Sequence, residues 1–213
     1  MVRYTQHPDL DDGLARKFRE EHVELFENGS FIATNNEQVV KSFEINGAVF
    51  VIKRYSEKGA RANIRSLLGV SRAMNSFRKS VQLSSIGVKT PDHLFVARHP
   101  SFLAGTSYLI MKKSIGVQLT DKIDEHPNPP FPTDLLSTLA DLIQSIHQAG
   151  ITHGDLHAAN IFVLPDLSLE LIDLDNMRPN RCRQAKDLAR ILRSLSHRSD
   201  LQEQLSLILR PQS

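Results

Sequence analysis

The sequence predicts an α+β protein, with strands in its first half and helices in its second. The turn pair Asn46-Gly47 separates two apolar runs, which is the strongest short-range signal of a β-hairpin. Apolar residues recur at helical spacing after residue 133, typical of a buried helical stripe. A length of 213 residues corresponds to one domain or to one domain in two lobes, with a boundary near residues 112–114.

The first half is predicted to hold five strands and one helix. A helix is expected over residues 60–85, with a break near Gly69, because Gly87 and Pro91 then interrupt the pattern. The strands are expected at residues 29–34, 39–45, 48–53, 94–97 and 107–111.

The second half opens with a proline-rich loop over residues 124–133. A helix capped by Thr133 or Asp134 is expected to run to Gly150, because glycine commonly ends helices. A short hairpin is predicted from residues 161–163 and 169–172, and two amphipathic helices from residues 184–197 and 199–209.

Composition excludes several classes of protein. The 26 basic and 24 acidic residues give a net charge of +2, too small to indicate nucleic-acid binding. Cys182 is the single cysteine, so the chain has no internal disulfide and fits a reducing compartment such as a cytoplasm. Residues 1–20 lack the apolar core of a signal peptide, and no apolar run approaches the roughly 20 residues that span a bilayer. Any membrane contact is therefore expected at the surface.

Three oxygen-bearing side chains indicate the chemistry. Asp155 and Asn160 lie five residues apart in a polar loop, and Asp173 ends a predicted strand 13 residues further on. Carboxylate, amide and phosphate oxygens are the ligands that Mg²⁺ favours. An Asp that accepts a hydroxyl proton, with an Asn and an Asp on Mg²⁺, is the set needed for phosphoryl transfer to an alcohol.

The same residues carry a resemblance to the protein-kinase-like superfamily. His153–Asn160 resembles its catalytic loop, H-x-D-x-x-x-x-N, and Ile172-Asp173-Leu174 stands where the superfamily has D-F-G. Val51-Ile52-Lys53 is similar to its V-A-I-K motif. The resemblance covers roughly residues 25–190. It implies a compact two-lobed fold, with a β-rich N-lobe at 1–112 and a shortened α-helical C-lobe at 113–213.

Within that superfamily the chain resembles the lipopolysaccharide core kinases of Gram-negative bacteria. The loop form H-G-D-L-H-x-x-N, the I-D-L-D ending and residues 185–195 carry this narrower resemblance. It implies transfer of the γ-phosphoryl group of ATP to a sugar hydroxyl of Kdo or heptose. The acceptor is a membrane-anchored glycolipid, so the resemblance also implies work at the cytoplasmic face of the inner membrane.

The resemblance assigns roles position by position. Lys53 would hold the α- and β-phosphates of ATP, and Asp155 would orient and deprotonate the acceptor hydroxyl. Asn160 and Asp173 would ligate Mg²⁺. A hinge that receives adenine through its backbone would be formed by Met111, Lys112 and Lys113.

Two features of the superfamily are missing. Residues 33–38 stand where a glycine-rich phosphate loop is expected, and they contain no glycine. No acidic residue lies between Glu57 and Asp92, so the helix glutamate that would pair with Lys53 has no candidate, and Asn75 or Ser76 falls nearest its place.

A basic segment suggests an anionic partner. Residues 58–89 contain seven basic side chains and no acidic one. They are interpreted either as a landing surface for a phosphorylated, carboxylated glycolipid at the membrane or as an ordinary solvated helix face. The seven are Lys58, Arg61, Arg65, Arg72, Arg78, Lys79 and Lys89.

Two other functions stay open at this point. One is a small-molecule phosphotransferase of the aminoglycoside or choline type, which shares H-G-D, and the other is a catalytically silent nucleotide-binding module. A cationic acceptor would require acidic residues near Asp155, whereas Arg178, Arg181, Arg183 and Lys186 follow Asp173 and favour an anionic one. A protein kinase is disfavoured, since Gly154 replaces the Arg that pairs with a phosphorylated loop.

Overall fold

A computed structural model describes residues 1–58, 71–99 and 104–209, and it confirms the α+β class. The chain divides into two compact units, residues 1–81 with 91–113 (unit 1) and residues 82–90 with 114–213 (unit 2). The assignment of separate roles to an N-lobe and a C-lobe stays a prediction.

The described residues form eleven strands and six α-helices. The strands are β1 (Arg3–Gln6), β2 (Ser30–Thr34), β3 (Gln38–Ile45), β4 (Ala48–Lys58), β5 (His93–His99), β6 (Ala104–Lys112), β7 (Val117–Gln118), β8 (Ile151–Thr152), β9 (Ile161–Val163), β10 (Leu169–Leu171) and β11 (Arg178–Pro179). The helices are α1 (Asp12–Asn28), α2 (Arg72–Ser85), α3 (Leu119–Asp124), α4 (Thr133–Gln148), α5 (Gln184–Ser194) and α6 (Ser199–Ile208).

Unit 1 is built on a six-stranded antiparallel sheet in the order β1-β5-β6-β4-β3-β2. The predicted hairpin is confirmed, because β3 and β4 pair up to Ile45 opposite Ala48. Asn46 and Gly47 form the turn with φ of 52° and 78°, the left-handed values that a two-residue hairpin needs.

Each face of this sheet carries a helix. On one face Phe18 and Phe26 of α1 pack with Phe50 and Ile110 of the sheet. On the other face the buried residues of α2 pack with Tyr55, Leu109 and Met111, among others. Side chains alternate between the faces of a strand, so Lys53, midway between Val51 and Tyr55, lies on the α2 face.

The prediction of five strands and one helix before residue 112 is wrong, because β1 and α1 were not expected. Helix α1 has an ordinary start, since the Asp11 carboxylate accepts a hydrogen bond from the Leu14 N–H at 3.0 Å. Its buried stripe includes His22, whose Nε2 lies 2.7 Å from Nε2 of His99. A polar residue in the stripe weakened the apolar pattern. Of the helix expected over 60–85, α2 is confirmed and residues 59–70 lie outside the described chain.

Unit 2 is built around α4, whose apolar stripe lies in the core with Ile161, Leu171 and Ile191. The predicted hairpin is confirmed as β9 and β10, which pair from Ile161 opposite Leu171. Strand β7 adds to β9, and β8 pairs with β11. The predicted terminal helices are present as α5 and α6. Within the described residues, no helix is long and apolar enough to cross a membrane.

Candidate active site

The loop between β8 and β9 brings three of its polar side chains together in unit 2. The Asn160 side-chain amide donates a hydrogen bond to the backbone carbonyl of Asp155 at 2.9 Å. The same amide nitrogen lies 3.0 Å from Nε2 of His157, which is 3.6 Å from the Asp155 carboxylate. Asp155 is half-buried and Asn160 is buried, so the cluster has one accessible carboxylate and one fixed amide.

Ile172 connects this loop to Asp173. Its N–H donates to the carbonyl of Asn160 at 2.9 Å, and its own carbonyl lies 3.0 Å from Nε2 of His153. Asp173 is the next residue, so the structure places Asp155, Asn160 and Asp173 in one region of unit 2. Asp173 has φ of 57° and ψ of 60°. This left-handed conformation costs a non-glycine residue on the order of 1 kcal/mol, and such strain is concentrated at functional sites.

His153 is a structural part of the loop. It is fully buried, and burial lowers the pKa of its imidazole, although the Ile172 carbonyl and nearby carboxylates act in the opposite direction. Because a carbonyl only accepts, Nε2 must carry the proton. Nδ1 is a buried acceptor without a hydrogen-bond partner in the described part of the chain.

Asp187 of α5 holds the start of the loop. Its carboxylate accepts the backbone N–H of His153 at 2.6 Å and that of Gly154 at 2.9 Å, and His147 Nε2 lies 3.6 Å away. Burial alone would raise the pKa of the Asp187 carboxyl, but the nearby His147 imidazole and the hydrogen bonds from the backbone N–H groups of Gly154 and His153 outweigh it and hold the pKa below its usual range. Asp187 therefore braces the start of the loop.

Gly154 is required by the backbone. Its φ is 82°, and a Cβ there would lie 2.5 Å from the carbonyl oxygen of Asn176. The loop therefore passes closer to the 3₁₀ turn after Asp173 than any side chain allows. This close approach and the hydrogen bonds of Ile172 fix the distance between the loop of Asp155 and Asn160 and the segment that contains Asp173.

The unit 2 cluster fits a magnesium ion in part. The Asn160 amide nitrogen is occupied, while its Oδ1 accepts no hydrogen bond from the described residues, and Asp173 supplies a half-buried carboxylate. No group of three or more His, Cys, Asp or Glu side chains that could hold a metal occurs in the described ranges. Two protein oxygens completed by phosphate and water are the usual arrangement for Mg²⁺.

Unit 1 carries Lys53 on β4, opposite Val40 of β3 and Leu109 of β6. The lysine is half-buried and is held in the middle of three paired strands. A lysine in such a ladder has a fixed Cα position and only side-chain freedom.

Helix α2 contributes to a neutral pair near the place where the resemblance to protein kinases leads us to expect a glutamate. Ser76 is buried, and its Oγ lies 3.3 Å from Nε2 of His93. The His93 Nδ1–H donates to the carbonyl of Pro91 at 2.7 Å, which makes Nε2 the acceptor. Burial lowers the pKa of His93 to about 4. The hydrogen bond to Pro91 acts to raise the pKa, and the positive charge of Lys53 acts to lower it further. The Ser76–His93 pair is therefore neutral at physiological pH.

The expected hinge lies at the end of β6. Met111 is buried, whereas Lys112 and Lys113 are exposed. The N–H of Lys112 donates to Asp92, and that of Lys113 donates to Val49, both at 3.0 Å. These two donors are already used, so adenine contacts here would require other backbone groups of the segment.

The turn between β2 and β3, in place of a glycine-rich loop, is braced by its own side chains. Asn35 Oδ1 accepts the N–H groups of Glu37 and Gln38, each at 2.9 Å. Glu37 forms an ion pair with Arg72 at the start of α2. Polar side chains thus replace the conformational freedom of glycine.

The basic segment 58–89 is less uniform than the sequence suggests. Arg72 pairs with Glu37, and Lys89 pairs with Asp166 at 3.0 Å. Arg61, Arg65 and the side chain of Lys58 lie outside what the structure describes. Arg78 is the exposed basic residue of α2.

The sequence also matches a known protein family. Residues 19–210, which is most of the chain, match the model of the lipopolysaccharide kinase (Kdo/WaaP) family. The matched range includes Asp155, Asn160 and Asp173 of unit 2 and Lys53, Ser76 and His93 of unit 1.

Proposed function

Since the chain belongs to the lipopolysaccharide kinase (Kdo/WaaP) family and is thus an ATP-using phosphotransferase, we propose that it phosphorylates a Kdo or heptose hydroxyl of the lipopolysaccharide core. The observation that carries this proposal is the unit 2 cluster, in which Ile172 links the loop of Asp155 and Asn160 to Asp173. That is the donor set for phosphoryl transfer to an alcohol.

The proposed reaction is a direct in-line transfer. The acceptor hydroxyl oxygen forms a bond to the γ-phosphorus as the bond from that phosphorus to the bridging oxygen of ADP breaks. The hydroxyl proton passes to the Asp155 carboxylate, which is half-buried and accessible. The transition state of this transfer is loose and calls for little covalent catalysis by the protein. Most of the rate acceleration therefore comes from positioning the reactants and neutralising their charge.

The remaining residues bind and orient the donor in this proposal. Lys53 contacts the α- and β-phosphates, and the segment Met111–Lys113 contacts adenine. Asn160 Oδ1 and the Asp173 carboxylate hold magnesium, which when bound neutralises phosphate charge. The contacts of the Asn160 amide nitrogen support this assignment, because they fix the side chain while its oxygen, the atom that can ligate a cation, has no hydrogen-bond donor among the described residues.

Charge supports an anionic acceptor over a cationic small molecule. Between residues 176 and 199 the single acidic residue is Asp187, which is buried against the loop backbone. Exposed arginines, including Arg178 and Arg183, surround it in sequence. A core sugar with carboxylate and phosphate groups is attracted to such a surface, whereas an aminoglycoside is repelled.

The test is an acceptor assay with purified protein and ATP. Lipopolysaccharide cores ending in Kdo or in heptose, and an aminoglycoside, are offered separately, and phosphate incorporation is measured by mass spectrometry. We expect incorporation into one core. Asp155→Asn should lower kcat by about a thousandfold, while ATP binding is retained.

The matched control is Asp141→Asn, an exposed carboxylate on α4. This variant should keep wild-type turnover. Phosphorylation of the aminoglycoside alone, or full turnover by the Asp155 variant, would overturn the proposal.

We further propose that the protein acts at the cytoplasmic face of the inner membrane, where ATP and the anchored acceptor are both present. Fractionation of Gram-negative cells expressing the full chain, with washing of the inner membrane at low and high salt, tests this location. Protein found only in the soluble fraction at low salt contradicts it.

A further inference from the structure

Helix α5 carries an exposed stripe of positive charge. Lys186, Arg190 and Arg193 follow at i, i+4 and i+7, the spacing that places residues on one side of a helix. Arg183 directly precedes the helix and continues the same side. All four side chains are exposed.

Two more exposed arginines lie just before the helix, Arg178 on β11 and Arg181 in the 3₁₀ turn that packs against α5. We call these six residues the α5 basic surface. Among the described residues, none of the six has a partner for an ion pair. The surface therefore keeps its full positive charge, unlike Arg72 and Lys89 in the basic segment 58–89.

The same helix holds the catalytic loop. Asp187 and Ile191 line its buried side, and Asp187 binds the backbone of His153 and Gly154. An α-helix with its side chains is about 10–12 Å across. Anything that contacts the α5 basic surface therefore lies within about one helix diameter of the segment that leads to Asp155.

We propose that the α5 basic surface docks unit 2 on an anionic phospholipid bilayer. Its charge is spread along a helix and a neighbouring turn, which suits a planar array of headgroups better than a single bound anion. The apolar side of α5 is used in the core of unit 2, so the contact is electrostatic and weakens with salt. Docking would hold the catalytic loop close to a membrane-anchored acceptor.

The proposal is independent of acceptor identity, so it is tested without lipopolysaccharide or ATP. Full-length protein is sedimented with phosphatidylcholine vesicles that contain or lack phosphatidylglycerol, at low and high salt. We expect binding only to the anionic vesicles and release at high salt. A basic residue near such a surface contributes about fivefold to partitioning, so K186Q/R190Q/R193Q together should weaken binding about a hundredfold.

The control variant R3Q/R16Q/K17Q removes three basic residues from unit 1 and changes net charge equally. It should bind vesicles like the wild type, and circular dichroism should show that both variants are folded. Equal weakening by both variants, or wild-type binding by the α5 variant, would mean that net charge or another surface is responsible.

Two further results would also overturn the proposal. Displacement from vesicles by millimolar glycerol phosphate would indicate a pocket for a single anion instead of a surface. Tighter binding to a DNA duplex than to vesicles at the same salt would indicate a nucleic-acid surface. If vesicle binding follows the prediction while no core sugar is phosphorylated, the docking surface stands and the proposed acceptor fails.

Discussion

The two units hold the residues of the proposed site in opposite ways. In unit 1, Lys53 lies in a continuous ladder in which strands on both sides fix its backbone. In unit 2, Asp155 and Asp173 lie in irregular backbone with left-handed residues at Gly154 and Asp173. A few specific contacts, with Asp187 at their centre, replace the ladder there. The loss of stability and activity on mutation should therefore be spread over many residues in unit 1 and be concentrated at a few residues in unit 2.

The largest effect is expected at Asp187. Asp187→Ala leaves the N–H groups of His153 and Gly154 buried without an acceptor, which should lower the free energy of unfolding by about 4 kcal/mol. Asp187→Asn keeps one acceptor oxygen and should cost about half as much. Urea unfolding measures both losses, and turnover should fall with them.

Asp141→Ala on α4 is the matched control, because this carboxylate is exposed. If Asp187→Ala were no more destabilising than this variant, the loop would not depend on one carboxylate, and the contrast between the units would fail.

A pair of glycines compares the units directly. Gly154 and Gly47 have nearly equal φ of 82° and 78°, but only at Gly154 would a Cβ meet backbone, 2.5 Å from Asn176 O. Gly154→Ala should cost about 3 kcal/mol and most of the activity, whereas Gly47→Ala should cost about 1 kcal/mol from conformation alone. Thermal unfolding and turnover of the two variants measure the difference, and equal costs would show that the close approach is unimportant.

The smallest effect is a pH dependence in unit 1. His93 has its pKa lowered to about 4, so it is neutral when folded and binds a proton more readily when unfolded. Its contribution is complete above pH 6.5 and is lost as pH falls from about 6.5 to 4. Between pH 7 and pH 5 the loss should be about 2 kcal/mol.

Urea unfolding of the wild type and of His93→Gln at both pH values measures this contribution. The variant should lose about 2 kcal/mol less than the wild type on acidification, while the exposed His197→Gln should behave like the wild type. Parallel pH dependence of His93→Gln and the wild type would contradict the burial of a neutral imidazole.

The sequence predicted the features that depend on local chemistry. The Asn46-Gly47 hairpin and the stripe of α4 both follow from short patterns, and both are present. The roles of Asp155, Asn160 and Asp173 follow from a short motif as well and stay a prediction. Helix α1 was missed because its stripe includes His22, whose Nε2 finds its partner in His99, 77 residues away. Likewise, the Ser76–His93 pair joins α2 to β5, and no local pattern specifies such a contact.

The hydrogen bond from His153 to Ile172 also limits the routes for proton transfer near the loop. The Nε2 proton of His153 is held by a carbonyl oxygen, and its Nδ1 acceptor is buried without a hydrogen-bond donor among the described residues, so no chain of hydrogen bonds runs through this imidazole. The histidine is thus a spacer between loop and strand, with no part in a relay. In the proposed reaction, the proton that the sugar releases therefore leaves Asp155 by a route that does not include His153.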